Sequence, residues 1–406
     1  MKKKNKAIYL LFLMPFVYFA TACFVVWLVK TSGIYPSGSD TMYHVYRGDY
    51  VYNAIKSGNW YPLYDPAWYN GVEILRYWSP FPAYVMAFCQ YLAGGSQFGA
   101  YLFYIGGVCF LGACVWPFIG RGFNRPYMGA FIGLLWFFMP NNLCAIFIEG
   151  NLARSLSMIF LPVFIYSVYK YLYNHKLRYI PLMVFTFLLM ELCHLGYAGM
   201  VAIAVIIYGI VYMIQKGRKK AVLDVVISMI FGFMLLGIWL VASLRGGITS
   251  LDNSENMANF FQNLWITINP FERLTRGFEY FYFGFAALVV IVFGILFGYK
   301  KSRTGFVTGF IILLMTTKSA YAVLKHLPGS QYLWMLRFIS IALCMILMSF
   351  LMWDRLKKTL VLMLCVLLVV DTIPSLSLIV GEHNDISVQE RMAARQDSTL
   401  ISSAQA

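Results

Sequence analysis

Charge is the scarcest commodity in this chain. Only 12% of its 406 residues are Asp, Glu, Lys or Arg, about half the share found in a soluble domain. Acid is scarcer than base: 17 Asp and Glu stand against 32 Lys and Arg, with only 5 His. An ordinary soluble domain is thereby excluded. The chain has no HExxH, no GxGxxG and no Walker sequence, so a zinc protease and a nucleotide-driven pump have no support. Nor does it hold the soluble nucleotide-binding domain that a cytoplasmic nucleotide-sugar enzyme needs. Its eight cysteines (Cys23, Cys89, Cys109, Cys114, Cys144, Cys193, Cys344 and Cys365) sit in apolar surroundings without metal-type spacing. They read as small core residues. No internal repeat and no Pro- or Ser-rich linker divides the chain, so one membrane domain is the economical reading.

Apolar runs fill the space that charge leaves. Hydrophobic residues make up 60% of the chain and aromatics 18%, arranged in repeated runs of roughly 18 to 22 residues. The fold class is an all-α polytopic membrane protein. About eleven spans are read, at 7–29, 98–119, 127–147, 155–173, 179–195, 198–215, 221–243, 279–298, 304–322, 338–353 and 358–373. Basic clusters follow at Lys2 to Lys6, Arg121/Arg125, Lys170/Lys176/Arg178, Lys216 to Lys220, Lys300/Lys301/Arg303 and Arg355/Lys357/Lys358. With the N-terminus cytoplasmic, every cluster lies inside. Topology therefore accounts for the net charge of +15, and nucleic acid is not a partner. The basic start and Ala20-Thr21-Ala22-Cys23 faintly resemble a cleaved leader. The apolar run continues through Val29, however, long enough to span and be retained.

One assignment sets the parity. Residues 80–95 are apolar but short; as a span they would place Arg121/Arg125 and every later cluster outside. They read instead as an interfacial helix on the outer face. The outer face then holds a first extracytoplasmic loop (31–97), a second piece at 244–278, and a polar tail (374–406) beyond a transmembrane domain at 1–373. Trp60, Tyr61, Tyr64, Trp68, Tyr69, Tyr77 and Trp78 give the first loop the composition of a segment at headgroup level.

The placement of the remaining charge is informative. At inner span ends it is nearly all Lys and Arg, which can snorkel; Asp224 there can pair with Lys219 or Lys220. Outer ends carry mixed signs: Glu149 and Arg154 bracket a turn, Glu191 and His194 close a span, and Lys318, Arg337 and Asp371 stand at others. Such charges suggest a polar cavity open to the outer leaflet, although a structural ion-pair network would read the same. In Gly38-Ser39-Asp40-Thr41-Met42-Tyr43-His44-Val45-Tyr46-Arg47, an acid, an imidazole and a guanidinium share one face of a helix. Asp40 could equally cap that helix. Asp49, Asp65 and Glu73 read as solvated loop acids, and Lys318 and Asp371 as a pair that makes burial tolerable.

The order of these features resembles a known family. After Gly-Ser-Asp40-Thr-Met-Tyr-His44 come Ser57-Gly58-Asn59-Trp60-Tyr61-Pro62-Leu63-Tyr64-Asp65-Pro66, Tyr69-Asn70-Gly71 and Arg76-Tyr77-Trp78-Ser79-Pro80-Phe81-Pro82-Ala83-Tyr84. Glu149 to Pro162 and His326 to Phe338 continue the pattern. It resembles the GT-C superfamily of polyprenyl-phosphate-sugar-dependent glycosyltransferases. Within that superfamily it is most similar to bacterial membrane proteins labelled 6-pyruvoyl-tetrahydropterin-synthase-related, though nothing here resembles a soluble pterin enzyme. Relatives often continue into a soluble portion, so the tail reads as the possible start of a missing domain.

The resemblance implies an inverting membrane glycosyltransferase on the extracytoplasmic face of the cell membrane. Its partners would be the bilayer, a polyprenyl-phosphate-linked sugar and a cell-envelope acceptor. Asp40 would activate the acceptor hydroxyl, directly or through a divalent ion (Mg or Mn), with Glu149 as second acid. His44, Arg47, Arg154, His194 and Arg337 would bind the donor phosphate. A flippase of lipid-linked glycans and a GT-C scaffold without catalysis are the alternatives; a transporter should line the midplane with polar residues and interrupted helices.

Overall fold

The computed structural model describes residues 2–33, 35–36, 38, 40–67, 71–245, 261–271, 282–327, 330, 334–353 and 356–380, with residues 2–11 as backbone alone. The polar tail beyond 380, and most of 244–278, lie outside the described residues. Those described form helices and no strand; Asp65 and Val72 pair as an isolated bridge. In chain order the helices begin α1 (Lys2–Ser32), α2 (Thr41–Lys56), α3 (Phe81–Leu92), α4 (Gln97–Gly122), α5 (Pro126–Trp136), α6 (Pro140–Phe147) and α7 (Leu152–Asn174). Then come α8 (Tyr179–Cys193), α9 (Leu195–Lys216), α10 (Lys219–Leu235) and α11 (Gly237–Arg245), followed by longer helices at Phe285–Phe297, Lys300–Met315, Phe338–Met352 and Lys358–Thr372.

Seven helices among the described residues are long and apolar enough to cross a membrane, where eleven were expected. An apolar run is not always one straight helix. The expected boundary between the spans at 179–195 and 198–215 falls at His194, which is extended (φ −156°) and leaves α8 with 15 residues. Fifteen residues rise about 22 Å, against a hydrocarbon core of about 30 Å. The expected span at 221–243 is α10 and α11, bent by 66°; counted as one span it makes an eighth. Phe285–Phe297 has 13 residues, and Lys300–Met315 opens on Lys300, Lys301 and Arg303, which dilute its apolarity. The short α3, with 12 residues, fails the same length test.

Pro140 divides another span. It has no N–H, so the Trp136 carbonyl loses its helical donor; the Asn142 side-chain amide donates to that carbonyl instead, at 2.5 Å. Helix α5 ends there, α6 begins, and all eight residues of α6 are buried.

Phe338–Met352, α7 and the α5–α6 span are the most enclosed, with α7 and Phe338–Met352 packed together at the centre; α1 and Lys358–Thr372 lie at the periphery. The central helices run in the same sense. The Tyr169 hydroxyl donates to the Met345 carbonyl (3.3 Å), and the Tyr197 hydroxyl from α9 meets Ser340 at 2.7 Å. Two parallel helices present their N-termini at one end. Arg154 lies in the first turn of α7 and Arg337 directly precedes Phe338, so the packing of the core brings two guanidiniums together.

A candidate anion site at converging helix N-termini

Glu149 sits between those guanidiniums. One carboxylate oxygen is 2.9 Å from Arg154 Nη1, and the other accepts from Arg337 Nε at 3.1 Å. Arg154 is fully enclosed, and Glu149 and Arg337 are about nine-tenths buried. The Arg154 contact is close but poorly aligned: none of its three guanidinium nitrogens has a hydrogen-bond acceptor. Arg337 also lies over the Trp334 ring, 4.0 Å from its centroid.

The first loop is stitched to this pair through its backbone. The Asp40 N–H donates to the Glu149 carbonyl at 2.9 Å. Two glycines permit the approach: a Cβ on Gly38 would fall 2.5 Å from Gly150 Cα, and Gly150 has φ +61°. Asp40 stands at the N-cap position of α2, yet its carboxylate makes no capping bond. It lies within electrostatic range of Arg337.

Asn151 is a member that the sequence reading passed over. Its side-chain oxygen accepts from the Arg154 N–H at 2.9 Å and caps α7. The signal was there, an Asn three residues before an Arg at the head of an apolar run. His194 does the same for α9: its Nδ1 accepts from the Tyr197 N–H at 3.1 Å. An imidazole accepting at Nδ1 is neutral and carries its proton on Nε2. That nitrogen lies 3.5 Å from Asn151 Nδ2, itself a donor, so the two do not hydrogen-bond in this tautomer. The N-termini of α2, α7, α9 and Phe338–Met352 thus converge on Glu149, and each adds the positive end of a helix dipole.

Other expected members are placed differently. Arg47 is buried against the Trp78 and Ser79 carbonyls (3.4 and 3.5 Å) and the rings of Tyr43 and Trp78. Burial lowers its pKa to about 10, so it stays cationic at neutral pH, but it braces the first loop instead of joining the Glu149 cluster. The Ser79 hydroxyl extends the brace, donating to the Glu191 carbonyl at 2.8 Å and accepting from the Leu195 N–H. His44 is held well below the usual imidazole range by burial, by Arg47 and by His194. It is therefore a neutral donor or acceptor, not a cation.

Asp65 is buried rather than solvated, accepting from the Tyr46 hydroxyl (2.7 Å) and the Ala67 N–H. Glu73 pairs with Arg76, Asp49 accepts from Gln90, and Asp224 accepts from Tyr171. Asp371 accepts from the Tyr282 hydroxyl at 2.6 Å, while Lys318 is exposed.

Among the described residues no three His, Cys, Asp or Glu side chains gather as a metal site. With Glu149 held by two guanidiniums, Asp40 and Glu149 do not make a divalent-ion site, and no step below runs through one. What the arrangement can do is hold an anion against two guanidiniums and helix N-termini, beside a carboxylate at its edge. Residues 75–379 match a family model described as 6-pyruvoyl-tetrahydropterin synthase related domain, membrane protein. The matched segment includes Glu149, Arg154, His194 and Arg337 and begins after Asp40. The chain matches no curated protein and no solved structure.

Proposed function

The chain belongs to the 6-pyruvoyl-tetrahydropterin synthase related family of membrane proteins, and on that premise we propose that it is an integral-membrane glycosyltransferase. The donor is a sugar on a polyprenyl phosphate, and the acceptor is a cell-envelope hydroxyl on the extracytoplasmic face. One observation carries this reading: Arg154 and Arg337 share a single buried carboxylate where helix N-termini meet, within reach of Asp40. A resident cluster of that kind favours a phosphate.

In this mechanism Asp40 takes the proton of the acceptor hydroxyl. The acceptor oxygen bonds to the anomeric carbon from the face opposite the phosphate, and the carbon–oxygen bond to the phosphate breaks. The polyprenyl phosphate leaves with that electron pair, and inversion follows from the single displacement. Arg337 and Arg154 stabilise the charge that develops on the leaving group. His194 Nε2–H adds a neutral donor. Glu149 would make a poor base, because two guanidiniums compete for its oxygens; it orients them instead.

The test is sugar transfer from a polyprenyl-phosphate donor by purified protein, wild type beside Asp40→Asn. The nearly isosteric variant should fold normally and lose transfer. Activity above about a tenth of wild type, a loss under about 1.4 kcal/mol, would remove Asp40 from the chemistry. A flippase is the second reading, favoured by the 66° bend between α10 and α11 and the break at Pro140. It predicts movement of the lipid-linked glycan across vesicles with no change in its mass.

A further inference from the structure

The opposite end of the molecule gathers its basic loops in a way that topology alone does not require. Helix α7 runs from the Glu149 cluster to Asn174, and beyond it Lys176 and Arg178 are exposed. A second loop presents Arg218, Lys219 and Lys220, and a third presents Lys300, Lys301 and Arg303, all exposed. Cytoplasmic retention requires cations on each loop; it does not require the loops to be joined.

Here they are joined. The Tyr173 hydroxyl at the end of α7 donates to the Lys301 carbonyl at 3.0 Å and meets Thr304 at 2.9 Å. Thr304 donates to Gln215 at 2.6 Å, tying the third loop to the second. Arg218 contacts His175, tying the second to the first, and the Tyr212 hydroxyl donates to the Leu172 carbonyl at 2.5 Å. Lys170 lies within electrostatic range of Lys176, Arg178 and Lys301 together.

Little neutralises this surface. Helices α8, α10 and Lys300–Met315 all start here with no acid in the first turn. Cations at those N-termini run against the helix dipoles, which adds to the positive potential. The nearest acid in sequence, Asp224, accepts from the Tyr171 hydroxyl. Apolar side chains flank the cations: Leu177 is 72% exposed and Ile214 81%. Clustered cations flanked by exposed aliphatics suit a surface that meets phosphate groups and acyl chains together.

We infer that the three joined loops form a binding surface for the headgroups of anionic glycerophospholipids, with Leu177 and Ile214 in the acyl boundary. The surface is independent of the transferase reading and stands or falls separately. Full-length protein is incorporated into nanodiscs containing phosphatidylglycerol and phosphatidylcholine, and retained lipid is counted by native mass spectrometry after detergent extraction. Phosphatidylglycerol should be retained at least about tenfold over phosphatidylcholine. The triple variant Arg218→Gln, Lys219→Gln, Lys220→Gln should lose most of that preference, and the charge-preserving Arg218→Lys, Lys219→Arg, Lys220→Arg should keep it. Should the Gln variant fail to fold, Lys300→Gln with Lys301→Gln carries the same expectation from another loop. Equal retention of the two lipids overturns the proposal, as does an undiminished preference in a folded Gln variant. Displacement of the lipid by inorganic phosphate at matched phosphate concentration would also overturn it, since the surface would then read a free anion and not a lipid.

Discussion

At the scale of the residue, Glu149 has two competing roles, reacting acid and counter-ion. A carboxylate at an outer span end reads as a candidate catalytic acid, but both its oxygens face guanidiniums. Glu149→Gln leaves two buried cations without their counter-ion, a loss of about 3–5 kcal/mol. The variant should therefore melt well below wild type in a detergent thermal-shift assay, with transfer lost as a consequence. A Gln variant that melts with wild type and loses only turnover would return Glu149 to the reacting groups. His44 makes a separate prediction at the same scale. Its folded pKa lies below the unfolded value of about 6.5, owing first to burial and then to Arg47 and His194. The unfolded chain then binds more protons as pH falls, so the stability associated with neutral His44 is present above about 6.5 and lost below it. Between pH 7.5 and pH 5, wild type should lose more melting temperature than His44→Gln; identical losses would show that His44 does not titrate differently on folding.

At the scale of elements, the contact between the first loop and the α6–α7 turn depends on what is missing from two residues. Gly38 and Gly150 touch because neither has a Cβ, and that contact puts the Asp40 N–H on the Glu149 carbonyl. In Gly38→Ala the new methyl would fall 2.5 Å from Gly150 backbone and 2.6 Å from Thr41 Oγ1, so the loop must shift. The expected cost is about 1–3 kcal/mol, with transfer falling at least about tenfold although no charged group is touched; wild-type turnover in this variant would show that the contact does not position Asp40. This explains why part of the site was legible and part was not. In a chain with so few charges, Glu149, Arg154 and Arg337 stand out at span ends, and parallel central helices unite them. Arg47 stood out equally, but its direction depends on where Trp78 and Ser79 fold back. No periodicity shows that, nor the burial of Asp65 beneath Tyr46. The 66° bend between α10 and α11 was hidden for a similar reason, since hydrophobicity records what lipid or core accepts and not where a helix stops.

For the whole molecule, the proposed topology puts the two charged ends on opposite sides of the membrane. Helix α7 has 23 residues, a rise of about 34 Å, enough to separate its two ends by a hydrocarbon core of about 30 Å. Arg154 and the Glu149 cluster lie at its start, and the joined basic loops lie at its end. Shorter helices such as α8 need not each cross the full bilayer for this to hold, because they pack against longer ones. The orientation proposed from the positive-inside bias puts the basic loops in the cytoplasm and the Glu149 cluster outside. The first loop is tied to that cluster at Asp40, so Asn59, in its exposed turn, should share the outer side. In right-side-out vesicles an impermeant maleimide should label Asn59→Cys at once and label Leu177→Cys only after permeabilisation, with the parent chain as control for its native cysteines. The reverse pattern would invert the molecule and place the Asp40 chemistry on the cytoplasmic side, where a polyprenyl-phosphate donor would have to present its sugar from the inner leaflet. Equal labelling of both without permeabilisation would mean that α7 does not separate the two ends, and the membrane frame built on it would fall.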